Sequence, residues 1–213
     1  FAAYGAAEAG RDYNTVDMSE RTLREYYLPA YKSAVDAGVK MVMTAFNIVD
    51  GVPCVGNKHL VKDILRGEWG FDGVIISDYS AVEEMIVHGA CEDRKEAAYK
   101  AMEATLDIEM MSNCYPKYLK ELVNEGKITV EQIDKAVLRI LNLKEELGIL
   151  DNSYRSVNVE ESKRVQLSTE HRALARKGAE SSAVLLKNNG ILPLSKNAKS
   201  VALIGPLANT GVI

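Results

Sequence analysis

Short unbroken apolar runs alternate along the chain with stretches in which apolar residues recur every three to four positions. Residues 39–46 (VKMVMTAF) are the first run, opened by Gly38 at the end of a preceding helix. Residues 57–67 (NKHLVKDILRG) set Leu60, Ile64 and Leu65 on one face and stop at Gly67, which predicts a helix. Val74-Ile75-Ile76 then reads as a buried strand, flanked by Gly73 and followed at once by the polar pair Ser77-Asp78. Helical spacing returns over residues 92–104 through Ala97, Ala98, Ala101 and Met102, and residues 105–110 (TLDIEM) predict a short third strand. Beyond it the chain turns helical. Thr129 with Gln132 matches a capping box, and Ile133, Ala136, Val137, Ile140, Leu141 and Leu147 keep a stripe up to Gly148.

Strands alternating with helices predict a parallel sheet covered by helices, so the fold class is α/β. Three such units, or four counting residues 1–4, precede residue 150, whereas a closed (β/α)8 TIM-type barrel needs eight. Residues 1–150 are therefore expected to be the C-terminal half of a catalytic barrel whose first half is not in this chain. Residues 151–167 (DNSYRSVNVEESKRVQL) lose periodicity and gain charge, Ser and Asn, which marks a linker. A helix near residues 169–181, strands at 183–187 and 201–205, and a turn at Asn189-Gly190 predict that residues 168–213 begin an α/β sandwich domain. Both ends read as cut, and the opening Phe1, with no initiator Met, leaves cytoplasmic, periplasmic and secreted locations open.

The composition of the 213 residues, 47% hydrophobic and 26% charged, is that of an ordinary globular enzyme. A formal net charge of -4 with scattered lysines supplies no excess of cations for a nucleic acid or an anionic membrane, and neither is expected as a partner. No apolar run approaches the length of a membrane span. Cys54, Cys91 and Cys114 are odd in number and form no C-x-x-C pair, and His88 and His171 have no partner at ligand spacing. Neither a metal site nor a disulfide framework is expected.

Reacting groups in parallel α/β folds sit just past the C-terminal ends of strands. Asp78 occupies that place after residues 73–77 (GVIIS), although an acid after a strand is as often a helix cap as a catalyst. The surrounding words decide between them. Residues 1–13 (FAAYGAAEAGRDY), 65–73 (LRGEWGFDG) and 74–79 (VIISDY) together resemble glycoside hydrolase family 3, the two-domain β-glucosidases and β-xylosidases. Residues 185–188 (LLKN), 190–194 (GILPL) and 201–206 (VALIGP) resemble the start of that family's second domain, so the resemblance runs in order through essentially the whole chain.

The resemblance implies that Asp78 is the nucleophile of a retaining hydrolase releasing terminal β-linked glucose or xylose from glycosides and oligosaccharides, with no cofactor. Such chemistry uses two carboxyls about 5 Å apart, one attacking the anomeric carbon and one protonating the leaving oxygen. The family's sugar-binding Lys-His pair would lie just upstream of Phe1, and its acid/base beyond Ile213, in the remainder of the same polypeptide. Glu109 is the in-chain stand-in, and it reads equally as a capping acid. Asp107 is expected at the sugar hydroxyls or the barrel floor. The family's single-domain glucosaminidases use a His in a loop soon after the opening motif; the first His here, His59, lies beyond that loop, which favours the two-domain type.

Tyr79, where many members carry Trp, is expected to stack on a sugar face, or else to pack at the barrel mouth. Met43 and Phe46 match positions lining the sugar subsite and, being apolar, read equally as core. Trp69 and Phe71 read as structural packing, and Arg11 with Asp12 as an ion pair or a substrate-facing loop. Two rivals remain: a lyase or isomerase of sugar phosphates, and a catalytically inactive sugar-binding relative. The first would need a Schiff-base Lys or a Gly-rich phosphate loop at a strand end, which is not found; the second would lack Asp78, which is present. A homo-oligomer is left open.

Overall fold

The structure is a computed structural model that describes residues 1–154, 158–206 and 208–209. It divides into two compact units, Phe1–Tyr154 and Arg155–Ile213, each described by itself.

In chain order the first unit holds β1 (Thr15–Val16), then a helical run through α1 (Glu20–Thr22), a π-helical stretch (Leu23–Tyr27) and α2 (Leu28–Asp36). Next come β2 (Met41–Met43), β3 (Ile48–Val49), β4 (Val52–Pro53), a π-helix (His59–Glu68) and β5 (Val74–Tyr79). It closes with α3 (Ala81–Val87), α4 (Arg94–Glu103), β6 (Ile108–Met110), α5 (Cys114–Asn124) and α6 (Val130–Glu146). The expected parallel sheet is present, in the order β2-β5-β6, with Met43, Ile76 and Ile108 side by side in register. A second small sheet pairs β1 with β3 in parallel and β3 with β4 antiparallel.

Helices cover one face of the main sheet. Leu60, Val61, Ile64 and Leu65 of the π-helix, Val82 and Met85 of α3, and Ala97, Ala98 and Ala101 of α4 are buried together with Ile75. Each large side chain removed from water there contributes about 1.5–3 kcal/mol. The next strand position alternates outward, and Met41 and Met43 remain about 40% exposed, at 42% and 41%. Glycine is required where β5 begins: a Cβ on Gly73 would stand 2.4 Å from the Lys40 carbonyl oxygen. That carbonyl accepts the Val74 N–H at 3.0 Å, so β2 and β5 approach too closely for any side chain.

The N-terminal end of the sheet is tied by one buried acid. Asp107, with a fully buried side chain, accepts from Arg66 at 2.6 Å, from Arg139 at 2.7 Å and from the Ile75 N–H at 2.8 Å. Arg66 also donates to the carbonyls of Phe71 and Gly73. One carboxylate, placed just before β6, thus links β5, the π-helix and α6 through structural bonds.

The predicted helices appear with small shifts in their ends. Thr129 and Gln132 form the reciprocal capping box of α6, with bonds of 2.8 and 3.3 Å. The stripe on α6 is less covered than its pattern predicts: Ala136 is buried, while Val137 and Leu141 are exposed. Residues 1–4 form no strand. Phe1 alone lies alongside β2, its N–H donating to the Met43 carbonyl and its carbonyl accepting from Ala45, before Ala3 turns into the left-handed region (φ 62°).

In the second unit α7 (Val159–Val165), capped by Asn158, lies inside the stretch read as linker, and α8 (Thr169–Ser182) matches the expected helix. The strands expected at residues 183–187 and 201–205 do not form. Those segments are unpaired and exposed, with Leu186 at 91% and Ile204 at 90%. A lone apolar run has no ladder to join, so its backbone groups are left to water.

Candidate active site

Asp78 stands at the C-terminal end of β5, the opposite end of the sheet from Asp107. Its placement depends on a bulge. Ile76 pairs with Ile108 and Tyr79 with Met110, so three residues of β5 span the same distance as two of β6. The surplus falls at Ser77 and Asp78, and a bulge of this kind re-aims the side chain it carries. Ser77 is fully buried within it; its Oγ accepts the Met110 N–H at 2.7 Å and donates to the Asp78 carbonyl at 2.9 Å. The Asp78 carboxylate accepts the Tyr79 N–H on Oδ1 at 2.6 Å, which fixes its rotation. Oδ2 has no bonding partner among the described residues. Ser80 follows in the left-handed region (φ 56°) and turns the chain into α3.

Asp78 opens onto a cavity of about 300 Å³ lined by Phe1, Tyr4, Met43, Thr44, Ala45 and Phe46. Met43 and Phe46 are thus brought together with Asp78, as walls of one cavity. Tyr79 is 58% exposed and does not line it. Asp78 is the one carboxylate among the lining residues. A larger hollow, beside Glu92 and Lys127, lies away from the strand ends that carry it.

Glu109 is engaged elsewhere. Its two carboxylate oxygens accept the N–H groups of Cys114 and Tyr115 at 3.0 and 2.9 Å, closing the first turn of α5. The capping alternative therefore holds for this acid. Trp69 and Phe71 pack structurally: Trp69 meets the Phe1 ring edge-on at 5.9 Å and Phe71 is buried beneath the Arg66 guanidinium. Arg11 forms no ion pair with Asp12 among the described residues; the Asp12 carboxylate accepts the Tyr13 N–H instead.

Sequence reasoning passed over Tyr4, Thr44, Ser77 and Glu84. Thr44 is 1% exposed and its Oγ1 has no partner among the described residues, leaving a buried polar atom in a residue that lines the cavity. Its signal was available as the lone hydroxyl in an apolar run. Glu84 of α3 lies outside the cavity lining. Burial, and then the carboxylates of Asp78, Asp12 and Glu83, push its pKa above the usual carboxylate value. Among the described residues no cluster of His, Cys, Asp and Glu is arranged to hold a metal, and no helix is long and apolar enough to cross a membrane.

Residues 1–143 match the model of the glycosyl hydrolase family 3 N terminal domain. The chain is similar to a periplasmic beta-glucosidase of Salmonella typhimurium, 42% identical over 99% of this chain and 28% of that protein. It is 38% identical to a beta-xylosidase of Formosa agariphila over 98% of this chain and 30% of that one. A crystal structure of beta-glucosidase from Listeria innocua in complex with glucose superimposes with a TM-score of 0.84 at 54% identity. That match covers 92% of this chain and 27% of the other. The chain thus spans less than a third of the length of each of these relatives.

Proposed function

The chain belongs to glycosyl hydrolase family 3, and on that premise we propose that its parent protein is a retaining β-glycosidase with Asp78 as nucleophile. The observation that carries the reading is the aspartate itself. It sits on a bulge at a strand's C-terminal end, with one oxygen fixed by a backbone N–H and the other open beside a cavity sized for one sugar ring.

Asp78 attacks the anomeric carbon as the bond to the leaving oxygen breaks, giving a glycosyl ester with inverted configuration. An acid about 5 Å away gives its proton to the departing oxygen. The resulting carboxylate then takes a proton from water, which attacks the same carbon, releases Asp78 and restores the original configuration. Asp107 and Glu109 are both committed to structural bonds, which supports an acid/base supplied from sequence beyond Ile213. Met43 and Phe46 form apolar walls for the sugar, while Tyr79, exposed outside that cavity, is left with the alternative of packing at its mouth.

The substrate proposed is a terminal β-linked glucose or xylose, a choice supported by relatives described as beta-glucosidase and beta-xylosidase. The parallel β2-β5-β6 sheet, helical on one face and methionine-lined on the other, supports the half-barrel reading, with residues 168–213 opening a second domain. The test uses the full-length protein and a panel of nitrophenyl glycosides, with NMR of the first-formed sugar. Hydrolysis of the β-glucoside or β-xyloside giving the β-anomer first is expected, and Asp78→Asn should lose several orders of magnitude in kcat. An α-anomer first, or a fully active Asp78→Asn, would overturn the proposal.

A further inference from the structure

Tyr13 belongs to no element, yet its position is fixed. Thr15 pairs with Ile48 in the parallel β1-β3 ladder, so the residues two places before each, Tyr13 and Phe46, are carried to the same side by side position. Their rings meet at 4.4 Å between centroids with planes 40° apart. Phe46 lines the Asp78 cavity; Tyr13 does not, and its partly exposed ring continues the aromatic surface beyond the lining. Tyr13 is 39% exposed and its hydroxyl makes no protein hydrogen bond among the described residues.

Two further observations mark it. Tyr13 adopts φ 59°, a left-handed conformation that bulky residues avoid, held by its N–H bond to Asp12 at 3.0 Å. Partial burial and the carboxylates of Glu84, Asp12 and Asp78 raise its hydroxyl pKa, which sets the ring within electrostatic reach of the proposed nucleophile.

A nucleophile attacks opposite its leaving group. With a sugar ring in the cavity against Asp78, the departing group lies away from Asp78, toward the open side. We propose that Tyr13, stacked on Phe46, determines leaving-group specificity by forming a platform for the first ring of a cyclic departing alcohol, whether sugar or aryl. This inference rests on the β-glycosidase reading above.

The test compares full-length wild-type, Tyr13→Ala and Tyr13→Phe proteins on a β-linked glucose disaccharide and on β-glucosyl fluoride, whose leaving group has no ring. Tyr13→Ala should lower kcat/KM on the disaccharide about tenfold and leave the fluoride unchanged within about twofold, while Tyr13→Phe stays near wild type on both. Equal losses on the two substrates, or no loss on the disaccharide, would overturn the proposal. Where the wild type takes only the corresponding β-xylosyl pair, the same comparison is made on that pair; a wild-type protein that cleaves neither pair would bring down the glycosidase reading and this inference with it, a failure visible before any variant is made.

Discussion

Replacing Ser77 by alanine removes a single oxygen from the bulge that aims Asp78. That oxygen accepts the Met110 N–H at 2.7 Å and donates to the Asp78 carbonyl at 2.9 Å, in a site with no exposure to solvent. Two buried hydrogen bonds at a net of about 0.5–1.5 kcal/mol each give an expected loss of about 1–3 kcal/mol. In a full-length protein more than three times this chain's length, as its relatives are, that lowers the unfolding midpoint by about 1–2 °C. The kinetic effect should be larger than the stability effect implies. Without the hydroxyl, the Asp78 backbone can relax toward regular pairing, and a shift of about 1 Å in an attacking group costs on the order of a hundredfold. Calorimetry of the full-length Ser77→Ala protein should show the lowered midpoint. Kinetics on a nitrophenyl β-glucoside, well below that temperature, should show kcat reduced about 10- to 100-fold with KM little changed. A lowered midpoint with kcat within twofold of wild type would refute the positioning argument. An unchanged midpoint would refute the energetic one.

Three further outcomes are expected. Asp107→Ala leaves two arginines without their buried carboxylate and should cost about 3–5 kcal/mol of stability, with turnover at low temperature retained in the protein that remains folded; urea titration alongside kinetics checks both. Glu109→Gln should weaken the cap of α5 by about 1 kcal/mol while leaving alkyl glycosides good substrates; a variant confined to dinitrophenyl glycosides and rescued by azide would make Glu109 the acid/base. Glu84 has a folded pKa raised above its ordinary 4.5, so the native state holds the proton more tightly, and stability is greatest below that value and falls as pH rises through the raised one. Glu84→Gln should therefore flatten the decline between pH 4.5 and neutrality, by under about 1 kcal/mol given its partial exposure, with melts at several pH values as the measure.

Much of the first unit was legible because its strands are short apolar runs and its helices bury one face. Residues 39–46, 74–76 and 105–110 announced β2, β5 and β6 by apolarity, and Thr129 with Gln132 announced α6 by cap chemistry. The β1-β3-β4 sheet was not legible, since its strands span two residues each and carry no period. Residues 183–187 have the composition of a strand and remain unpaired, because β structure is a property of two segments and composition reports on one. At the site, Asp78, Met43 and Phe46 line one cavity, while the bulge that aims Asp78 depends on a register step between β5 and β6 that neither strand encodes alone.

The identity of the nucleophile can be read directly. The full-length protein is incubated with 2-deoxy-2-fluoro-β-glucosyl fluoride, which forms the glycosyl ester and hydrolyses it slowly, then digested and mapped by tandem mass spectrometry. One fluoroglucosyl group per chain is expected, on the peptide containing residues 74–79 and on Asp78 within it, with activity recovering as the ester turns over. A label on any other carboxylate, or inactivation with Asp78 left unmodified, would contradict it.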